Sequence, residues 1–107
     1  MRGDLYRIPS ARDAYGHEQR GARYAVVVQT DSLFLSTVLI APTSTQVKPA
    51  FFRPEIEIDG QRTRVMPEQI RSVDLERLGR FAGRLSVDEM LAVDRAIADV
   101  FDFLPSG

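Results

Sequence analysis

Several short runs of β-branched and apolar residues, broken by turn signals and closed by one long amphipathic stretch, predict a mainly β (α+β) protein. The expected architecture is a small, strongly bent sheet or barrel with a C-terminal α-helix. Three observations carry this expectation. Val26-Val27-Val28 is apolar without alternation, as a strand buried on both faces requires. Phe52 to Ile58 alternates with period two and runs into Asp59-Gly60, a pair suited to the two positive-φ positions of a type I′ hairpin turn. Ser86 and Glu89 form a capping box ahead of apolar residues spaced three and four apart.

In chain order, Leu5 to Ile8 reads as a short strand closed by Pro9. Pro9 to Ala22 is polar, glycine-bearing and without helix period, and a loop of that length is a natural place for binding residues. Tyr24 to Gln29 is the central strand, broken by Thr30-Asp31-Ser32. Leu33-Phe34-Leu35 fits either one helical turn or the start of the next strand. Thr37 to Ala41 is a strand by β-branching, and Pro42 with the cluster Thr43-Ser44-Thr45 is expected to stop it. Phe52 to Ile58 and Arg62 to Met66 form the hairpin, Gln69 to Val73 a further strand, and Asp74 to Leu78 one helical turn. The last helix runs to about Phe101. Met90, Val93, Ile97, Val100 and Phe101 make its apolar stripe, and Arg95, Asp99 and Asp102 face away.

A chain of 107 residues with 44% apolar and 27% charged residues is sized for one domain over 1–107 with one core. No apolar run nears the roughly 20 residues of a membrane span, and Met1-Arg2-Gly3-Asp4 has no secretory h-region, so a cytoplasmic protein with no membrane association is expected. Without cysteine there is no thiolate metal site, and a single histidine excludes a multi-histidine one within the chain. Metal-independent chemistry without a cofactor is favoured. Residues 1–84 carry 13 basic against 10 acidic side chains, and residues 85–107 carry 1 against 5, so the body is positive and the tail negative. Thirteen of the 14 basic residues are arginine, which forks two hydrogen bonds onto phosphate or carboxylate, although codon bias accounts equally well for the excess.

Arg23 stands where the polar loop enters a strand, and Thr43-Ser44-Thr45 where a second strand leaves the sheet. Two adjacent strands would then bring a fixed cation and hydroxyl donors together, an arrangement suited to holding a phosphodiester.

These residues fall within a pattern that resembles the MazF/PemK-type toxins of bacterial toxin–antitoxin systems. Arg2-Gly3-Asp4-Leu5-Tyr6 is similar to the family's opening strand. Gly16-His17-Glu18-Gln19, then Arg23, then Ala25-Val26-Val27-Val28-Gln29-Thr30-Asp31 follow its next motifs. Thr37 to Gln46, Glu68-Gln69-Ile70-Arg71-Ser72-Val73-Asp74 and the terminal helix with Asp94 and Ile97 complete the match in order. The resemblance implies an SH3-like small barrel of the CcdB/MazF toxin type with a C-terminal helix, assembled as a homodimer. It implies an endoribonuclease that cuts single-stranded messenger RNA at short sequences without a metal, and a MazE-like antitoxin as partner. It also implies catalytic roles at the positions of Arg23, Ser44 and Glu18. Tyr24 stands where the family usually has proline and Ser44 where it has threonine. The segment before Glu68 is shorter, with Arg62, Thr63 and Arg64 where an Asp-Ser pair is expected.

Metal-free RNA cleavage uses the neighbouring 2′-hydroxyl as nucleophile, so it needs a base, charge stabilisation for the phosphorane and an acid for the leaving 5′-oxygen. Arg23 suits the charge stabilisation and Ser44 donates to the same phosphate. Glu18 and His17 are both candidates for the base: the resemblance favours Glu18, whereas His17 has the better ordinary pKa, about 6.5. Gln19, Tyr24 and Thr45 are candidate RNA-binding residues, with Tyr15, Phe51 and Phe52 as further stacking surfaces and Arg53, Arg62, Arg64 and Lys48 as phosphate contacts. Plainer readings stand beside these. Arg23 would be a surface ion pair, Ser44 a turn residue bonding its own backbone, His17 a solvated loop residue, Phe51-Phe52 core, and the other cations solvated charges. A gyrase-poisoning toxin of the CcdB type and a silent SH3-like binding module share the expected fold without the converging phosphate site.

Overall fold

The computed structural model describes residues 1–9 and 23–103. Strands β1 (Asp4–Ile8), β2 (Arg23–Val27) and β3 (Thr37–Ser44) form an antiparallel meander. Its register pairs Leu5 with Val26, Ile8 with Arg23, Ala25 with Pro42 and Val27 with Ile40. Strands β4 (Glu55–Ile58), β5 (Gln61–Val65), β6 (Arg71–Asp74) and β7 (Phe81–Arg84) extend it on both sides. The order is β4-β5-β3-β2-β1-β7, with β6 also on β3, and the result is a nearly closed, barrel-like sheet.

The unalternating apolar run is explained by burial on both sides of this meander. One face carries Leu5, Val26 and Ala41 into a cluster with Ile56, Ile58, Val65, Leu85 and Val93; the other carries Ile8, Ala25, Val27, Val38 and Ile40. Ala25, Val26 and Val27 are fully buried although they point alternately to opposite faces. The strand ends at Val27, short of the expected Gln29. Gln29 accepts from Leu39 N–H (3.2 Å) through its side-chain oxygen instead, filling a place the ladder no longer serves.

Pro42 does not stop β3, contrary to the sequence expectation, and the reason lies in its neighbours. Leu39 carbonyl accepts from Val28 N–H, so odd-numbered residues of β3 bond toward β2. Pro42 carbonyl accepts from Met66 N–H on the opposite side, which is where a proline N–H would also have pointed. On that side β6 pairs with Thr37 to Ile40 and β5 only with Thr43 and Ser44. Pro42 therefore sits at the gap between two partner strands, the place where a missing donor costs no ladder bond.

The Asp59-Gly60 turn has positive φ at both residues, 51° and 78°, as expected, and Ile56 and Ile58 alternate into the core. A 3₁₀ turn at Pro67–Gln69 leads into β6, and another at Leu75–Arg77 follows it. Strand β7 was not legible in the sequence: it is short, contains Gly83 and pairs back to β1 with a register shift. It enters beside Gly79, whose N–H donates to Arg7 carbonyl at 2.7 Å. A Cβ on Gly79 would lie 2.8 Å from that same oxygen, so the close approach requires glycine.

Helix α1 (Val87–Phe101) opens with the expected capping box, in which Glu89 N–H donates to Ser86 Oγ and Ser86 N–H to Glu89 Oε1. The second Glu89 oxygen accepts from Glu57 N–H (2.9 Å) and so ties the cap to β4. Val93 belongs to the first cluster, Met90 and Ile97 pack against it, Ala96 is also buried, and the Arg2 guanidinium holds Asp94 (2.6 Å) and Val28 carbonyl (3.1 Å). Phe101 is a correction: it lies half-exposed beside Phe103, because the chain turns away at Asp102 in a left-handed cap. Among the described residues no helix is long and apolar enough to cross a membrane.

Candidate functional site

Arg23 opens β2 at an exposed position and Ser44 closes β3. Continuing the β2–β3 register from the Ala25–Pro42 pair by two residues sets Arg23 level with Ser44. Alternation puts both on the face of Ala25, Val27 and Ile40. Arg71, directly opposite Ile40 on β6, belongs to the same face. Its place in alternation with the half-buried Val73 is the signal that would have marked it as a further cation there.

The three hydroxyls of the cluster have separate fates. Thr43 is buried, and its Oγ1 donates to Tyr24 carbonyl at 2.9 Å, tying β2 to β3 immediately inside the Arg23–Ser44 level. Ser44 Oγ accepts from Gln46 N–H (3.0 Å) and Val47 N–H (3.2 Å), so it does close its own turn. Both acceptor lone pairs of the hydroxyl are thereby occupied, which leaves its proton for donation to a further acceptor. Thr45 is exposed at the start of that turn.

Glu18, His17 and Gln19, like Tyr15, lie outside the described residues. Ile8, at the end of β1, pairs with Arg23, at the start of β2. Tyr24 is half-buried against the first apolar cluster, on the face away from Arg23. Phe51 is 85% exposed, contrary to its reading as core, and meets the half-buried Phe52 edge-on at 5.4 Å. Two of the candidate phosphate contacts are committed within the fold. Arg53 bonds Glu68 (2.7–2.8 Å) and Lys48 carbonyl, and Arg64 bonds Glu55 (2.8 Å) and Arg53 carbonyl. Arg62 is 3.5 Å from Glu55 and otherwise solvated, and Lys48 is exposed.

The described residues thus form a small barrel backed by one helix, with an arginine and a serine level on neighbouring strand ends. A mycobacterial endoribonuclease solved in complex with its cognate antitoxin superposes with a TM-score of 0.81 at 17% identity, over 100% of this chain and 98% of its own. The Mycobacterium tuberculosis toxin MazF-mt6 does so with 0.75 at 19%, over 92% and 96%, and at these identities the likeness is one of fold. Residues 1–101 match the family described as PemK-like, MazF-like toxin of type II toxin–antitoxin system, and the chain belongs to that family. A candidate toxin of Mycobacterium tuberculosis is 42% identical over 99 residues, which are 92% of this chain and 93% of that protein. Endoribonuclease EndoA of Bacillus subtilis is 32% identical over 104 residues, 90% and 89% of the two chains.

Proposed function

We propose that this chain is a metal-independent endoribonuclease that cuts single-stranded messenger RNA and serves as the toxin of a type II toxin–antitoxin pair. The carrying observation is the level placement of Arg23 and Ser44 on adjacent strand ends. Family membership and the full-length kinship with an endoribonuclease support it. In this reading the RNA 2′-hydroxyl attacks its own phosphate and gives a 2′,3′-cyclic phosphate and a 5′-hydroxyl end. Arg23 forks onto the nonbridging oxygens and balances the charge of the phosphorane. Ser44 donates its one free proton to the same phosphate, and two occupied lone pairs suit it poorly to act as base or nucleophile. Glu18, with His17 as the second candidate, takes the 2′-proton, a water protonates the leaving 5′-oxygen, and Gln19 and Thr45 bind flanking RNA, whereas Tyr24 packs on the face away from Arg23 and is not placed to do so.

The toxin domain spans 1–107 and acts as a cytoplasmic homodimer. A MazE-like antitoxin with an acidic, flexible segment covers the arginine-bearing cleft, a pairing consistent with the antitoxin complex of the mycobacterial structural neighbour. The family match leaves no observation favouring a gyrase poison or a silent binding module. The test is cleavage of a long mixed-sequence transcript in EDTA. Wild-type protein is expected to cut it to discrete products with cyclic-phosphate ends, and Arg23→Ala to lose at least about 100-fold in rate, as removal of a charge-stabilising donor does. Intact RNA at high protein concentration would sink the nuclease reading.

A further inference from the structure

The turn that holds the Ser44 hydroxyl is part of a closed ring of contacts in which Arg53 is the hub. Its Nε and Nη2 bond one oxygen of Glu68 at 2.8 and 2.7 Å, and its Nη1 donates to Lys48 carbonyl at 3.0 Å. The same guanidinium lies over the Phe52 ring, 5.0 Å from its centroid. Arg53 carbonyl in turn accepts from Arg64 (2.8 Å). Lys48 and Phe52, in the segment between β3 and β4, and Glu68, beyond β5, are thus gathered on one side chain.

Both ends of the ring are referred to β3. At one end Ser44 Oγ receives the N–H groups of Gln46 and Val47, directly before Lys48. At the other, Glu68 sits in the 3₁₀ turn Pro67–Gln69, which is anchored by the bond from Met66 N–H to Pro42 carbonyl (2.9 Å), two residues before Ser44. Lys48 carbonyl, Arg53 and Glu68 therefore clamp the far end of the Ser44 turn back onto the strand that carries Ser44.

The clamp is more than a surface ion pair. Arg53 and Glu68 side chains are only 20% and 21% exposed, and Glu68 Oε1 is buried without a hydrogen-bond partner. A carboxylate held with one oxygen unsatisfied is retained here although apolar packing would serve stability as well. The guanidinium's fork, which a lysine lacks, is what lets it reach Glu68 and Lys48 carbonyl at once.

We infer that Arg53, paired with Glu68, is a positioning residue that fixes the Ser44–Lys48 turn and so aims the Ser44 hydroxyl proton at the substrate phosphate. This rests on the nuclease reading of Ser44. Arg53 touches no substrate in it; its effect passes through the two N–H groups that occupy Ser44's lone pairs. If the clamp opens, Gln46 and Val47 release Oγ and the proton is no longer directed.

Two readouts test this on the full chain, with Arg53→Lys and Glu68→Gln, which keep bulk, beside Arg53→Ala. First, amide hydrogen exchange followed by NMR is expected to speed at Gln46 and Val47 in Arg53→Lys, while amides of β1 and β2 keep their protection. Unchanged exchange at Gln46 and Val47 overturns the clamp whether or not the protein cuts RNA. Second, a short RNA spanning a cut mapped with wild-type protein is the substrate for a double-mutant cycle with Ser44→Ala. Arg53→Lys is expected to lower kcat roughly tenfold with KM little changed, misorientation being costly at this scale, and to have no further effect in the Ser44→Ala background. Additive losses in the double variant would show that Arg53 does not act through Ser44. A Ser44→Ala protein that cuts like wild type removes Ser44 from the catalytic reading, and the inference falls with it.

Discussion

The Thr43 hydroxyl donates to the Tyr24 carbonyl across β2 and β3, one residue inside the level shared by Arg23 and Ser44. A backbone acceptor at the end of the ladder is thereby satisfied by a side chain, and the two strand ends are kept from fraying where the candidate site begins. Thr43→Val keeps the shape and removes the donor, leaving Tyr24 carbonyl to lose its partner. The expected cost is about 1 kcal/mol, read as a lower urea midpoint with unchanged slope. A variant as stable as wild type would mean that the bond contributes nothing.

Ser44→Thr is expected to stay within a few-fold of wild-type cleavage, because the hydroxyl is retained. Ser44→Ala removes both the donor and the acceptor of the turn, and its rate should drop roughly 100- to 1,000-fold, the range for loss of one oriented donor at a transition state. Steady-state kinetics on a single short RNA separate the two. A slower threonine variant than alanine variant would contradict the donor role.

Substitution of Glu18 and His17 distinguishes the two candidate bases. Glu18→Gln is expected to cost more rate than His17→Gln. With an ordinary carboxylate as base, pKa about 4.3, the rate of the wild type is flat from pH 6 to 8; with histidine it rises through about 6.5. A rising profile that flattens only in His17→Gln would move the role from Glu18 to His17.

Asp31 accepts from Arg2 N–H at 2.9 Å, and this backbone bond is the main reason its carboxyl is held below the usual aspartate range. A carboxyl depressed in the folded state stabilises it at pH above the unfolded value, and that contribution is lost as pH falls through the folded one. NMR titration should find Asp31 ionising on the acid side of an ordinary aspartate. Asp31→Asn should abolish this part of the acid dependence of stability while leaving the neutral fold intact. An Asp31 midpoint at the ordinary value would refute the assignment.

The helix and the Asp59-Gly60 hairpin were readable from sequence because their signals are local: a reciprocal cap at Ser86 and Glu89, and positive φ at two consecutive residues. Pro42 defies the sequence expectation because the bar against proline applies only where the N–H faces a paired neighbour, and that depends on where β5 and β6 end along β3. Strand β7 gave no periodic signal, since its place is set by pairing with the distant β1 and by the backbone approach at Gly79. At the candidate site, the level placement of Arg23 and Ser44 is legible because both stand at the ends of adjacent strands. The commitment of Arg53 was hidden: nothing near it in the chain announces Glu68, and an arginine beside two phenylalanines reads equally well as a nucleic-acid contact.

Strand β3 changes partners at Pro42, and the 3₁₀ turn Pro67–Gln69 that joins β5 to β6 packs against that break in the ladder. There the chain presents a ring with no N–H to offer, with its carbonyl already taken by Met66. Neither backbone polar group of this buried proline is left for a further strand, so the break in the ladder is closed from within the chain.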